Sequence, residues 1–508
     1  MKRLSRSPAL WFFVFLAFYL AGRITAPNDL NTKDQPRTVS YTVDMLQNGR
    51  WTCPVDMMGQ PATKPPLYNW VSALPIAATG IYHTLTFKLP SLLAGLGCLF
   101  FLALFARHLE SLNLAVPIPF SPVFWFSSLI WLANFTVYGL IYTARPDMVL
   151  AFFLFAGWTI STLLLEQSPV VQRHAPIWCF ALWLFLQAAI LTKGTPALLL
   201  ILYIPIYSLF RFRTLRPVFR TQFLIGFPVV ALLSYLWFSY TWQHLPQGHK
   251  DLLVNMESSR ILKGGPLESL KGFYKMPHYF LVRFVPWSLV FLWFLVQLRR
   301  GKIAATPWTS VWSWFLLVLV FFSIPVFKRD DYLLPIYPVC ALAGGYAMWT
   351  FPSLARNALA ALALALMAGS VVNDFRFKKD LMPRFADNSD RFAQVVRKTV
   401  PAKAKLVFFK TGYNNLQAFL GRNSPLSEAK PDALQPGDYL LQPAYLLNEK
   451  QARDHRIHGP DFEHYQAVSP APELKLEQLH LSAPLYNVSG AKPGIVGLYR
   501  VLGKPQKP

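Results

Sequence analysis

Apolar runs long enough to cross a bilayer recur about every thirty residues from the N-terminus to residue 373, which is more than any soluble core could bury. With 54% of its residues hydrophobic and a mean hydropathy of +0.32, the 508-residue chain reads as an all-α polytopic membrane protein. The runs near 9–26, 84–106, 121–141, 147–165, 177–191, 195–211, 222–243, 279–298, 309–327, 332–350 and 354–373 predict about eleven transmembrane helices. Met1-Lys2-Arg3-Leu4-Ser5-Arg6 before the first run, and Ala26 after it, imitate a cleavable signal peptide. The apolar part is long and no small-x-small site precedes a cut, so the run reads as a retained anchor.

Short cytoplasmic loops collect Lys and Arg. With the basic N-terminus inside, Arg107-His108, the group Arg211, Arg213, Arg216 and Arg220, and then Arg299, Arg300 and Lys302 all fall on the same side. The loops 27–83, 141–146, 192–195, 244–278 and 328–331, and everything after about 374, then face outward. The net charge of +24 is read as topology signal and attraction to anionic membrane lipids, with no nucleic acid as partner. Of four cysteines, Cys98, Cys179 and Cys340 lie in spans and Cys53 in a loop, so no disulfide framework follows. No Cys/His spacing reads as a metal site, and no cofactor is expected.

Two domains are expected: a membrane domain, 1–373, whose first outer loop is 27–83, and a small outward-facing α/β domain, 374–508. In the latter, 405–409, 438–442 and 494–500 read as strands and 414–420 as a helix. In the first loop, Val39, Val43 and Leu46 recur at helical spacing, which suits a helix lying in the membrane interface. A second helix is expected over 67–79, opened by Pro65-Pro66.

Several polar residues could carry chemistry. Asp34, in Asp34-Gln35-Pro36-Arg37, is the N-cap of the following helix, a general base toward an acceptor, or a charge that stabilises an oxocarbenium-like transition state. Lys64, before Pro65-Pro66, is either a snorkelling lysine or a fixed charge on a stiffened backbone. Arg145-Pro146-Asp147, Lys193-Gly194 and Lys328-Arg329-Asp330-Asp331-Tyr332 lie at helix ends on one side. Each could merely terminate a helix, yet ionisable groups at that depth tend to line a substrate path. Lys and Arg suit a phosphate, whose charge grows as it leaves. Arg37, Asp147, Glu257 and Arg260 are candidates for contact with sugar or acceptor; Glu257, Arg260, Lys263 and Gly264-Gly265 read equally as a closing segment or a solvated loop. His244, His249 and His278 read as interfacial histidines.

The chain resembles the polytopic lipid-phosphate-sugar-dependent glycosyltransferases that include bacterial lipid A aminoarabinose transferases and protein O-mannosyltransferases. The resemblance rests on Asp34-Gln35-Pro36-Arg37, Asp44-Met45-Leu46, Gly49-Arg50-Trp51, Pro54, Gly59 and Lys64-Pro65-Pro66-Leu67-Tyr68-Asn69-Trp70, in order. Lys88-Leu89-Pro90-Ser91, Leu191-Thr192-Lys193-Gly194, and Lys328 with Tyr332-Leu333-Leu334-Pro335 match more weakly. It covers residues 10–350 and implies a C-type glycosyltransferase fold in a bacterial inner membrane, with the active site and C-terminal domain periplasmic. It also implies Asp34 as the catalytic residue, a polyprenyl-phosphate-linked sugar as donor, and Lys64, Lys328 and Tyr332 at the donor phosphate; Arg145 and Lys193 join them by their chemistry. Lipid A, a glycan or a protein would be the acceptor. Where many members carry Glu, this chain has Gln35 and Thr63, so the aminoarabinose substrate is not transferred. Two rival classes are a transporter or lipid flippase, which would use broken helices and midplane charges, and a non-catalytic receptor or assembly protein.

Overall fold

A computed structural model describes residues 8–26, 30, 34–56, 59–112, 121–251, 254–255, 272–375, 388–401, 404–409, 414–421, 434–446, 466–467, 474–483, 485 and 494–503. The chain divides into two compact units, one of residues 1–21, 63–68 and 90–370, the other of residues 22–62, 69–89 and 371–508.

The first unit is a helical bundle. Every expected apolar run coincides with helix: eight described helices are long and apolar enough to cross a membrane, two more runs are bent helix pairs, and the first is the shorter helix Pro8–Thr25. Two of the runs are bent, a feature that the expectation from sequence does not address. At 121–141, the helices Pro122–Ala133 and Phe135–Ile141 meet at 73°; at 279–298, Lys275–Arg283 and Trp287–Arg299 meet at 110°. The second break has a local cause, since Val285 precedes Pro286 and a residue before proline is pushed out of the helical region. At the first, Asn134 turns extended and its side chain caps the new helix at Val137 N, 3.0 Å. The same side chain donates to Arg283 O at 3.1 Å, so one asparagine stitches both breaks together. Thr136 Oγ1 donates to the same carbonyl at 3.4 Å, so side chains satisfy a group that the interrupted helix does not.

Within lipid, helices associate through close packing rather than by escaping water. Helices Pro122–Ala133 and Tyr337–Thr350 pack on each other through Gly345, where a Cβ would stand 2.2 Å from Ser127 Oγ and 2.6 Å from its backbone nitrogen. Large aromatics fill the rest: Trp158 stacks at 4.9 Å from Phe105 and 5.7 Å from Phe155, and Trp314 donates to Pro335 O at 3.0 Å.

The second unit holds a five-stranded sheet: β1 (Leu406–Phe408), β2 (Tyr439–Leu446), β3 (Gln466–Ala467), β4 (Lys475–Leu481) and β5 (Gly494–Gly503). The order is β1-β2-β5-β4, with β3 pairing on β2; β1 and β2 are parallel and the other pairs antiparallel. Leu440, Leu474, Tyr499 and Val501 form part of the core on this sheet. Helix Asn388–Thr399 buries Phe392, Ala393 and Val396, a one-sided apolar stripe. A buried ion pair, Arg23 to Asp374 at 3.1 Å, ties the end of the first apolar run to the segment after the last.

Helix Gln35–Asn48 belongs to this unit, and ten of its fourteen residues are buried. Its polar face is spent on its own loop. Asn69 Nδ2 donates to Thr38 O (2.6 Å) and Thr42 Oγ1 (2.9 Å), Tyr41 OH donates to Pro61 O (3.2 Å), and Asp44 accepts from Val55 N (2.9 Å) and Asn48 Nδ2 (2.6 Å). It also packs on helix Asn414–Phe419, and Gln47 donates to Gly421 O.

Candidate functional site

In the bundle, the N-terminus of helix Asp147–Leu165 is paired with the C-terminus of helix Ala175–Lys193. A carboxylate at a helix start and an ammonium at a helix end each sit in the favourable lobe of their own helix dipole, and here they also meet each other. Lys193 Nζ donates to Asp147 Oδ1 at 2.6 Å. Gly194, at φ +68°, turns the chain immediately after Lys193, a conformation that a side chain there would strain.

Arg145 joins the pair. Its Nη2 lies 3.0 Å from Asp147 Oδ2 and 2.5 Å from Asp331 Oδ2. Arg329 holds the other side of Asp331, through Nη2 to Oδ2 at 2.8 Å and Nε to Oδ1 at 3.2 Å. Tyr332 presents its ring to Lys193 Nζ, 4.8 Å from the centroid, and packs on Phe322. Lys64 completes the group electrostatically, since its charge acts on the Asp147 carboxylate. Tyr68, four residues on, anchors that loop by donating to Thr143 O at 3.1 Å, and Ser91 donates to Arg145 O at 3.0 Å. Four cations, Lys64, Arg145, Lys193 and Arg329, thus surround two carboxylates, and Asp147 and Asp331 are both buried. The surplus positive charge is what a site for a phosphate oxyanion requires.

Four of the residues singled out for phosphate contact, Lys64, Arg145, Lys193 and Tyr332, are therefore brought together, with Asp147 between them. Lys328 differs: its Nζ donates to Pro325 O at 2.7 Å, and it is the neighbouring Arg329 that reaches Asp331. Burial and the nearby charge of Lys275 hold the Lys328 ammonium below the usual lysine range. Arg329, Asp331, Tyr68 and Ser91 were not assigned roles from the sequence. Asp331 and Arg329 lie in the segment already marked, and its two cations followed by two carboxylates were the available signal.

In the other unit, Asp34 sits just before helix Gln35–Asn48 with helical backbone angles, φ −101° and ψ −16°. Its carboxylate makes no capping bond; its carbonyl accepts from Thr38 N (3.0 Å) and Thr38 Oγ1 (2.9 Å). Pro36 explains why no cap is needed, because it removes one of the N–H groups that a cap would serve. Arg37 is engaged close by: Nε meets Asp56 Oδ2 at 3.1 Å and the guanidinium bonds to Tyr41. Burial opposes the Arg37 charge, but Tyr41 and Asp56 outweigh it and keep its pKa above the ordinary arginine value. Burial pushes the Tyr41 phenol up, with Arg37 opposing and the charges of Asp56 and Asp34 adding to the rise. Gln35, where the resembled family carries Glu, is buried. Glu257 and Arg260, with Lys263 and Gly264-Gly265, lie outside the described residues. Among the described residues no three His, Cys, Asp or Glu side chains converge as a metal-binding group.

No protein-family model matches this chain, and no curated protein matches it in sequence. Solved structures do. The crystal structure of ArnT from Cupriavidus metallidurans bound to undecaprenyl phosphate superposes with a TM-score of 0.65 at 15% identity, over 97% of this chain and 98% of that one. The chain has the C-type glycosyltransferase fold of ArnT. The apo structure of the same ArnT matches equally, at TM-score 0.65 and 15% identity, over 96% of this chain and 97% of that one. Shared architecture along nearly the whole of both chains meets the fold expected from the first-loop residues. A tethered oligosaccharyltransferase from Archaeoglobus fulgidus, at TM-score 0.45 and 8% identity over 82% of this chain and 64% of that one, is too distant to add to the ArnT likeness.

Proposed function

We propose that the protein is a membrane glycosyltransferase that moves a sugar from a polyprenyl-phosphate donor to an acceptor hydroxyl or phosphate on the outer face of the membrane. The observation that carries this reading is the surplus of cations around Asp147 and Asp331 in a chain with the ArnT fold. The outward orientation is supported by the side on which Arg and Lys collect in the short loops. The acceptor is a lipid A-type glycolipid, an envelope glycan or a protein.

In this mechanism Lys64, Arg145, Lys193 and Arg329 bind the donor phosphate, with Lys328 and Tyr332 beside them. Asp147 and Asp331 hold the cations in place and keep them charged. As the bond from the anomeric carbon to the phosphate oxygen breaks, negative charge gathers on that oxygen, and preformed donors stabilise it without reorganising. Asp34 takes the proton of the acceptor hydroxyl as it attacks, and displacement inverts the anomeric centre. Four side-chain cations do what a divalent ion would do at the leaving phosphate, so turnover continues in EDTA; activity lost to chelation and restored by added metal contradicts this part.

The two bent helix pairs are the feature that a transporter reading would use. One assay separates the readings. Purified protein is given polyprenyl-phosphate-linked hexoses and pentoses with extracted envelope acceptors, and released polyprenyl phosphate is measured. The transferase reading expects release that depends on acceptor; movement of the intact lipid across a vesicle membrane with no release favours the transporter. Mass spectrometry of envelope glycolipids and glycoproteins, with and without the gene, then names sugar and acceptor.

A further inference from the structure

At the end of the bundle opposite Lys193, a groove of about 800 Å³ runs between helices Ala175–Lys193 and Thr221–His244. Its walls from Pro176 to Gln187 follow one helix for roughly 16 Å at 1.5 Å per residue. Trp183 packs against Gly226, where any Cβ would stand 2.0 Å from the indole, so the glycine makes the room that this wall of the groove needs. Phe180, Leu184, Ile225, Val229 and Leu233 line it and are exposed, as side chains facing lipid are. Gln187 and Ser234, bonded at 3.1 Å, mark the end toward Lys193. Arg220 lines the other end and is the one charged residue in the lining.

We infer that this groove is a binding site for an anionic glycerophospholipid of the leaflet opposite the cationic cluster, with one acyl chain along Trp183 and its phosphate at Arg220. Charge complementarity selects this occupant. The connection 213–220 carries Arg213, Arg216 and Arg220, the segment 167–174 carries Arg173 and His174, and neither contains a carboxylate. Arg211, just before, is already paired with Glu166 at 2.7 Å. A cavity of this size is in the range that encloses small ligands. The single cation at the far end from Lys193 orients a lipid with its head away from the cluster, which sets this occupant apart from a donor lipid. The inference stands independently of the proposed transfer reaction.

The test is native mass spectrometry of the full-length protein released from vesicles of phosphatidylcholine doped with phosphatidylglycerol. The wild type keeps one phosphatidylglycerol in preference to phosphatidylcholine. Arg220→Ala lowers that preference about fivefold, the effect of one cation at an anionic lipid surface, while Arg220→Lys retains it. Val229→Trp, at an exposed groove position where folding is undisturbed, empties the site; Arg213→Ala, outside the lining, leaves it filled. Equal retention of both lipids by the wild type, or unchanged retention in Arg220→Ala and Val229→Trp, overturns the inference. So does loss of bound polyprenyl phosphate, with phosphatidylglycerol retained, in Val229→Trp released from vesicles that also carry polyprenyl phosphate.

Discussion

Asp147 takes Lys193 on one oxygen and Arg145 on the other, and it is nearly sealed from solvent. Removing one member of a buried ion pair strands the others, at a cost of about 3–5 kcal/mol. Asp147→Ala should therefore lower stability by about that amount, read from thermal unfolding in detergent; a variant as stable as wild type would show that these charges are not coupled. Asp34 is the contrasting residue, since it has no cap to lose. Asp34→Asn should drop transfer by about 10²–10⁴-fold, the usual worth of a general base, in protein that thermal unfolding shows to be folded. Lys328 has a pH signature. Its ammonium must be charged to assist at a phosphate, and its pKa is held below the usual lysine value by burial and Lys275, so activity should fall as pH rises through that lowered pKa. Lys328→Arg, which stays charged, should push this alkaline limb upward in a pH-rate profile. At this scale the sequence was informative wherever charge stood at a helix end, as at Arg145, Asp147 and Lys193. It was silent on pairing: nothing in the spacing says that Asp331 closes on Arg145 across 186 positions.

At the scale of elements, hydropathy located every apolar run but not its shape. The bends at 133–135 and 284–286 leave the mean hydropathy of the runs high, because Asn134 and Pro286 are single residues in apolar surroundings. Asn134 bears on both breaks through Val137 N and Arg283 O. Asn134→Ala should cost about 1–2 kcal/mol, the value of a helix cap, and a thermal melt unshifted from wild type would reject its stitching role. In the other unit, β1, β2, β5 and the helix at 414–419 fall where the sequence predicts them. β4 escaped because its register shifts between Gln478 and His480, which breaks the alternation that a two-residue period needs. Helix Gln35–Asn48 falls where its spacing predicts, while the bonds at Asn69 Nδ2 to Thr38 O and Tyr41 OH to Pro61 O, which join it to its own loop, are not legible in that spacing.

For the molecule as a whole, the first-loop residues implied a fold that the ArnT superposition bears out at 15% identity. What no single stretch could reveal is that residues 22–62 form a compact unit with 371–508. Arg23 and Asp374, and Gln47 with Gly421, are contacts between segments hundreds of residues apart. Truncation after residue 373 should thus loosen the loop that carries Asp34, seen as faster hydrogen exchange over 35–48, and abolish transfer although Asp34 is still present. The account rests most heavily on the surplus cations as a phosphate site. Its most direct test is the equilibrium binding of polyprenyl phosphate to purified protein, wild type against Lys193→Gln and Arg145→Gln, with unfolding checked in parallel. Loss of one charge-assisted contact, worth about 1.5–3 kcal/mol, should weaken binding roughly ten- to a hundredfold in each variant. Binding at wild-type strength in both folded variants would contradict it.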